Sequence, residues 1–318
     1  MTTPLLTSNR QIVARPNLWS QFLGEVFKWR RHRLYQWFIA APFLLAVVMA
    51  FGLAVGTRGR SLPDIDNNTM MTFGPATYNL GTTGAFATAG QFYMTSFLAI
   101  LSVGFALVAG WCVHSEFNWR TIKMVASRQP SRVQIVLSKV LFVAALAFAS
   151  FIMLTLGWFF LSIVFKLVYR APLGITANDV DAISLGINHL ILRCLAMFMW
   201  ALPTMAAVYS SKSVTGGVLL YFVYSGTEAF LSNLGAAAIN NPLAYSGAEG
   251  FFQTILEVAK TAYPYLLTSH LNRITMVSSS PQVVATMPLA VSWLAVGIYL
   301  VLYIAITLWI FVPRDIKE

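Results

Sequence analysis

Six apolar runs, each about as long as the 20 helical residues needed to cross roughly 30 Å of hydrocarbon, govern what this chain can become. They cover Trp37 to Gly56, Phe92 to Val113, Val140 to Phe165, Leu190 to Ser210, Val214 to Ser232 and Leu289 to Val312. The chain lacks the ten-residue stretches of alternating hydrophobicity that mark a membrane barrel, so the runs are expected to be helices. Composition points the same way, at 58% hydrophobic and 10% charged residues, where a soluble domain has about 45 to 50% and about 25%. So little charge cannot cover the outside of a soluble fold of 318 residues. The expected fold is an all-α polytopic membrane protein with six transmembrane helices.

The net charge of +10 raises the question of where the basic residues sit. The N-terminal arm holds Arg10, Arg15, Lys28, Arg30, Arg31 and Arg33, and the segment after the second run holds Arg120, Lys123, Arg128, Arg132 and Lys139. Lys212 falls in the fourth connection and Arg314 and Lys317 in the tail, which brings fourteen basic residues to one side. The alternate segments carry six: Arg58, Arg60, Lys166, Arg170, Lys260 and Arg273. That bias predicts cytoplasmic termini in a multi-pass protein of the cell membrane. The expected organisation is a cytoplasmic arm over residues 1–36, one transmembrane domain over 37–312 and a cytoplasmic tail over 313–318. No long basic run or aromatic platform suggests nucleic acid as a partner, and Cys112 and Cys194 fall in no metal-ligand spacing.

The arm is expected to stay on the protein, since no small-residue cleavage site follows a short apolar core. Asn17 can cap a helix with Leu18, Phe22, Val26 and Trp29 on one side and Gln21, Glu25, Lys28 and Arg31 on the other. Such a helix would lie along the cytoplasmic membrane surface. Near the other end of the chain, Phe251, Phe252, Ile255, Leu256, Ala259 and Ala262 fall at helical spacing between the fifth and sixth runs. They predict a helix that dips into the outer leaflet or packs on the spans.

Residues His114 to Lys139 carry the most information. Asn118 can start a short helix with Trp119, Ile122 and Val125 on one face and Arg120, Lys123 and Ser127 on the other, ended by Pro130. The order Glu116-Phe117-Asn118-Trp119-Arg120-Thr121, then Gln129-Pro130-Ser131-Arg132, then Lys139 resembles the signature of the ABC type-2 permease family. That pattern places a Glu at the end of the second span, a Pro-Ser/Thr-Arg turn and a Lys before the third span. Arg120 stands where the family often has Gly.

The resemblance implies that Asn118 to Ser127 is a cytoplasmic coupling helix between spans 2 and 3, seated on a separate ATP-binding cassette ATPase. Arg120, Lys123, Arg128 and Arg132 would contact that partner, with Trp119, Thr121 and Pro130 shaping the helix and Glu116 tying it to the second span. Two permease chains, identical or related, would enclose a pathway in the bilayer, probed from inside and outside in turn as ATP closes the ATPases, in the manner of an exporter. The chain contains no G-x-x-x-x-G-K-[ST] phosphate loop, so it is expected to be non-catalytic, without a cofactor of its own, ATP and Mg²⁺ being held by the partner.

Ionisable groups inside apolar spans are costly and mark candidates for function. Arg193 and Glu228 are expected a few residues inside the outer ends of the fourth and fifth spans, at matching height. An ion pair between them is one reading, contact of either with substrate a second, and independent snorkelling a third. A secondary transporter or channel that uses the two as a relay is the alternative function. The histidines, His32, His114, His189 and His270, all fall at or beyond span ends, and no zinc pair or nucleophile arrangement within the spans suggests an intramembrane enzyme.

Overall fold

The computed structural model describes residues 17–56, 70–73, 76–79, 101–115, 117, 131–168, 177–240, 250–279 and 288–312. These form helices α1 (Leu18–Arg30), α2 (Arg33–Gly56), α3 (Leu101–Ser115), α4 (Arg132–Val168), α5 (Ala177–Ser211), α6 (Val214–Asn240), α7 (Gly250–Ala262), α8 (Leu267–Ser279) and α9 (Leu289–Phe311). A two-stranded antiparallel hairpin pairs Met70–Phe73 with Ala76–Asn79. Five helices, α2, α4, α5, α6 and α9, are long and apolar enough to cross a membrane.

The centre of the bundle is α5. It packs on α4, α6, α8 and α9, and its Leu202, Met205, Val208 and Tyr209 are fully buried. Around it the outer faces stay apolar: Val48 and Phe51 of α2, Leu219 and Val223 of α6, and Leu294, Val301 and Trp309 of α9 are all exposed. Large apolar side chains arrayed outward along several long helices suit hydrocarbon and not water. The architecture is therefore compatible with a multi-pass helical membrane protein.

Local chemistry explains several helix ends. The Asn17 side chain accepts the Ser20 N–H at 2.7 Å, which starts α1 where the sequence suggests. At the start of α4, Ser131 accepts from the Gln134 N–H at 3.2 Å while the Gln134 side chain accepts from the Ser131 N–H at 3.3 Å. This reciprocal capping box starts α4 eight residues before the apolar run at Val140. The other end of the bundle shows the same tendency, since α5 begins at Ala177 and α6 runs on to Asn240.

Three close approaches fix the packing. Gly186 lies under the Trp158 indole, where a Cβ would come within 2.2 Å of the ring. A Cβ on Gly217 would meet Val208 at 2.2 Å, and one on Gly235 would meet the Ala259 carbonyl oxygen at 2.7 Å. Those contacts bring α4 onto α5, α6 onto α5, and α7 onto α6. Gly226, in contrast, has open space around it.

Candidate functional site

Two buried polar clusters stand out in this apolar bundle. The first gathers at the start of α4. Lys139, fully buried, donates to a Glu25 carboxylate oxygen at 3.0 Å and to the Cys112 carbonyl at 3.2 Å. One ammonium thus ties α1, α3 and α4 together. Around it Trp29 stacks on Phe142 with ring centroids 6.0 Å apart, and the Gln21 amide donates to Gln134 at 3.4 Å. Nearby, His114 Nδ1 bonds the Lys212 carbonyl at 3.0 Å, so the end of α3 and the tight α5–α6 turn belong to the same end of the bundle. Lys212 itself adopts a left-handed φ of 56° to make that turn.

This arrangement changes the reading of α1. Leu18, Phe22, Val26 and Trp29 pack toward the bundle and not outward, and Glu25, expected on the polar face, is buried with them. An adjoining stripe, Trp19, Leu23 and Phe27, faces out instead. The reason is the Lys139 ammonium: a buried cation needs a buried anion, and Glu25 lies on the edge of the apolar face that can reach it.

The second cluster centres on Glu228 of α6, whose side chain is buried. One carboxylate oxygen accepts the Tyr224 hydroxyl at 2.9 Å, and the other accepts the Thr268 N–H at 3.1 Å and the Thr268 hydroxyl at 2.8 Å. Tyr224 in turn bonds the Tyr303 hydroxyl at 2.7 Å. Ser232 meets Ser269 at 2.9 Å, His270 Nδ1 meets Ser292 Oγ at 3.3 Å, and the Tyr299 hydroxyl donates to the Tyr265 carbonyl. Burial holds the His270 imidazole below its ordinary range, against the opposing pull of the Pro264 carbonyl and the Glu228 charge.

Glu228 therefore caps α8: it accepts the first-turn N–H of Thr268, where the helix dipole favours an anion. The seam holds α8 against α6 and α9.

Of the three readings of Arg193 and Glu228, an ion pair is not among the bonds of the Glu228 carboxylate in the described residues. The carboxylate bonds Tyr224 and Thr268 and not Arg193. Because α5 begins at Ala177, Arg193 lies mid-helix, eighteen residues from the turn end of α5, whereas Glu228 lies fourteen from the start of α6. That offset is about 6 Å along the helix axes at 1.5 Å per residue.

Arg132 also has a place in the bundle, since it donates to the Val312 carbonyl at the end of α9. Glu116, Trp119, Arg120, Thr121, Lys123, Arg128 and Pro130, together with the expected coupling helix from Asn118 to Ser127, lie outside the described residues. The aromatic run at Trp158-Phe159-Phe160 packs within the bundle, with Trp158 buried.

The fold and these clusters define a helical protein with several helices of membrane-crossing length. By comparison of sequence, the chain belongs to the family described as "Protein of unknown function (DUF2705)", whose pattern matches residues 66–241. It is 26% identical over 214 residues to "Uncharacterized protein YhcI" of Bacillus subtilis (strain 168), an alignment covering 67% of this chain and 63% of that protein. No solved structure matches the chain.

Proposed function

We propose that this protein is the transmembrane permease subunit of an ATP-binding cassette exporter, paired with a second permease chain and driven by separate ATPase subunits at its cytoplasmic side. The observation that carries this reading is the run from Glu116 to Lys139, whose residue order resembles the type-2 permease signature. The bias of fourteen basic residues to the side bearing that run supports it.

The Lys139 cluster supplies a physical reason for the arrangement. Force on the 118–127 segment would enter at the end of α3 and the start of α4, and Lys139 binds both of these and α1 into one unit. The unit would move as a lever, which is what rigid-body switching of a pathway requires. Six crossings and cytoplasmic termini belong to this proposal, with the apolar run from Phe92 to Val113 as the sixth span.

The test is purification of the tagged full chain from its native host, followed by mass spectrometry for a phosphate-loop ATPase. We expect the ATPase to copurify and to be lost on combined Arg120→Glu and Lys123→Glu. An ATPase retained in full by that charge-reversed variant would sink the coupling assignment, and its absence from the unmutated chain would favour the secondary-transporter alternative.

A further inference from the structure

We propose that the α1–α2 elbow is a docking surface for anionic phospholipid, with Trp19, Leu23 and Phe27 set among the upper acyl chains and Arg30, Arg31 and Arg33 on the phosphodiester headgroups. Trp19 and Phe27 are 62% and 61% exposed, and with Leu23 they form one stripe at four-residue spacing that reaches Arg30 at its C-terminal end. Only Arg31 and His32 separate α1 from α2, whose Trp37, Val48 and Phe51 carry the exposed apolar surface onward into a helix of membrane-crossing length. An apolar stripe that leads through two residues into such a helix, with a tryptophan on either side of the elbow, matches the interfacial zone of a bilayer.

Charge selects the kind of lipid. Arg30, Arg31 and Arg33 are all exposed, and among the described residues none has an acidic partner. No Asp or Glu occurs from Val26 to Gly56. The single acid of α1, Glu25, faces inward, pairing with Lys139 at 3.0 Å and with Lys28 at 3.9 Å, and not with the arginines of the elbow. Three uncompensated guanidinium groups on one short elbow fit phosphate oxygens bidentately, as a flexible ammonium does not. The Glu25–Lys139 link also holds α1 in a fixed rotation, which keeps the stripe turned outward. The inference rests on the membrane part of the proposed function and not on coupling to an ATPase.

The experiment uses the purified full chain, without any ATPase, in nanodiscs of phosphatidylcholine alone or with added phosphatidylglycerol. Native mass spectrometry then counts the phosphatidylglycerol retained on release. Each basic side chain near an anionic surface contributes about a fivefold gain, so Arg30→Gln, Arg31→Gln and Arg33→Gln together are expected to lower the preference for phosphatidylglycerol over phosphatidylcholine on the order of 100-fold. A loss of less than threefold would overturn the proposal. A bimane label on Phe27→Cys supplies the second readout: quenching by nitroxide on lipid acyl chains is expected, and quenching only by aqueous iodide, or by neither because a second copy or a protein covers the stripe, would overturn it. Failure here with the ATPase still copurifying would leave the permease reading standing.

Discussion

Among the described residues, the two buried carboxylates are held in opposite ways. Glu25 is matched by a full positive charge, the fully buried Lys139, at the end of the bundle where α3 finishes and α4 starts. Glu228 lies about 21 Å from that end along α6 and is met by dipoles alone: the first turn of α8 and two hydroxyls. An ion pair joins elements that must move together, because removing either partner strands a charge in an apolar interior. A carboxylate held by a helix terminus locks one short helix in place, yet its donors would accept a neutral oxygen almost as well. The difference contrasts a rigid end, which the proposed coupling would require, with a seam whose contacts at α8 are more easily replaced.

The contrast can be broken most severely at Lys139. Lys139→Met takes the buried cation from Glu25 and leaves it the partly exposed Lys28 at 3.9 Å, and a loss of about 3 kcal/mol is expected, read as a large fall in the apparent unfolding midpoint in detergent. Combining it with Glu25→Leu should recover most of that loss. If the double variant is as unstable as the single one, charge pairing is not what the cluster provides.

At the other cluster, Glu228→Ala removes the acceptor for Thr268 and Tyr224 and should cost about 2 to 3 kcal/mol, whereas Glu228→Gln should cost only about 1 kcal/mol. Equal losses for Ala and Gln would show that the negative charge itself matters there. Packing between these two ends can be probed at Gly186. A Cβ there would meet the Trp158 ring, so Gly186→Ala should cost about 1 to 3 kcal/mol, while Gly226→Ala, with open space around it, should be neutral.

The smallest effect expected is a pH slope. Burial depresses the His270 pKa in the folded state, so the unfolded chain binds the extra proton first. Stability is then fully present above the unfolded value of about 6.5 and is lost as pH falls through that value toward the folded one. His270→Asn should flatten the dependence of the unfolding midpoint below about pH 6.5, and an unchanged slope would assign it to other groups.

Much of this fold was legible because hydropathy reports directly on helices that face hydrocarbon. The runs at Trp37, Val140, Leu190, Val214 and Leu289 all fall inside observed helices. Their ends were harder to read, because hydropathy does not see polar helical turns. Asn178, Asp179, Asp181 and Ser184 read as a loop but belong to α5. The capping pair Ser131 and Gln134 was visible as a sequence signal for the true start of α4.

The Glu25–Lys139 pair was not legible: Lys139 stood out only as part of a signature and Glu25 only on the polar face of α1, and nothing local links residues 114 apart. Nor was the cap on α8, because Glu228 and Thr268 are forty residues apart and nothing local links them. The start of α8 did leave a trace in Tyr263-Pro264-Tyr265, where a proline opens a turn between two short helices.

The most direct measurement is the ATP hydrolysis rate of the complex between this chain and its copurifying ATPase, compared with the same complex carrying Glu25→Leu and Lys139→Met. If the buried ion pair transmits force between the coupling segment and the spans, the ATPase should remain bound while its rate falls at least fivefold and loses its response to the permease. An unchanged rate in the double variant, or no ATPase bound to the unmutated chain, would contradict the proposed function.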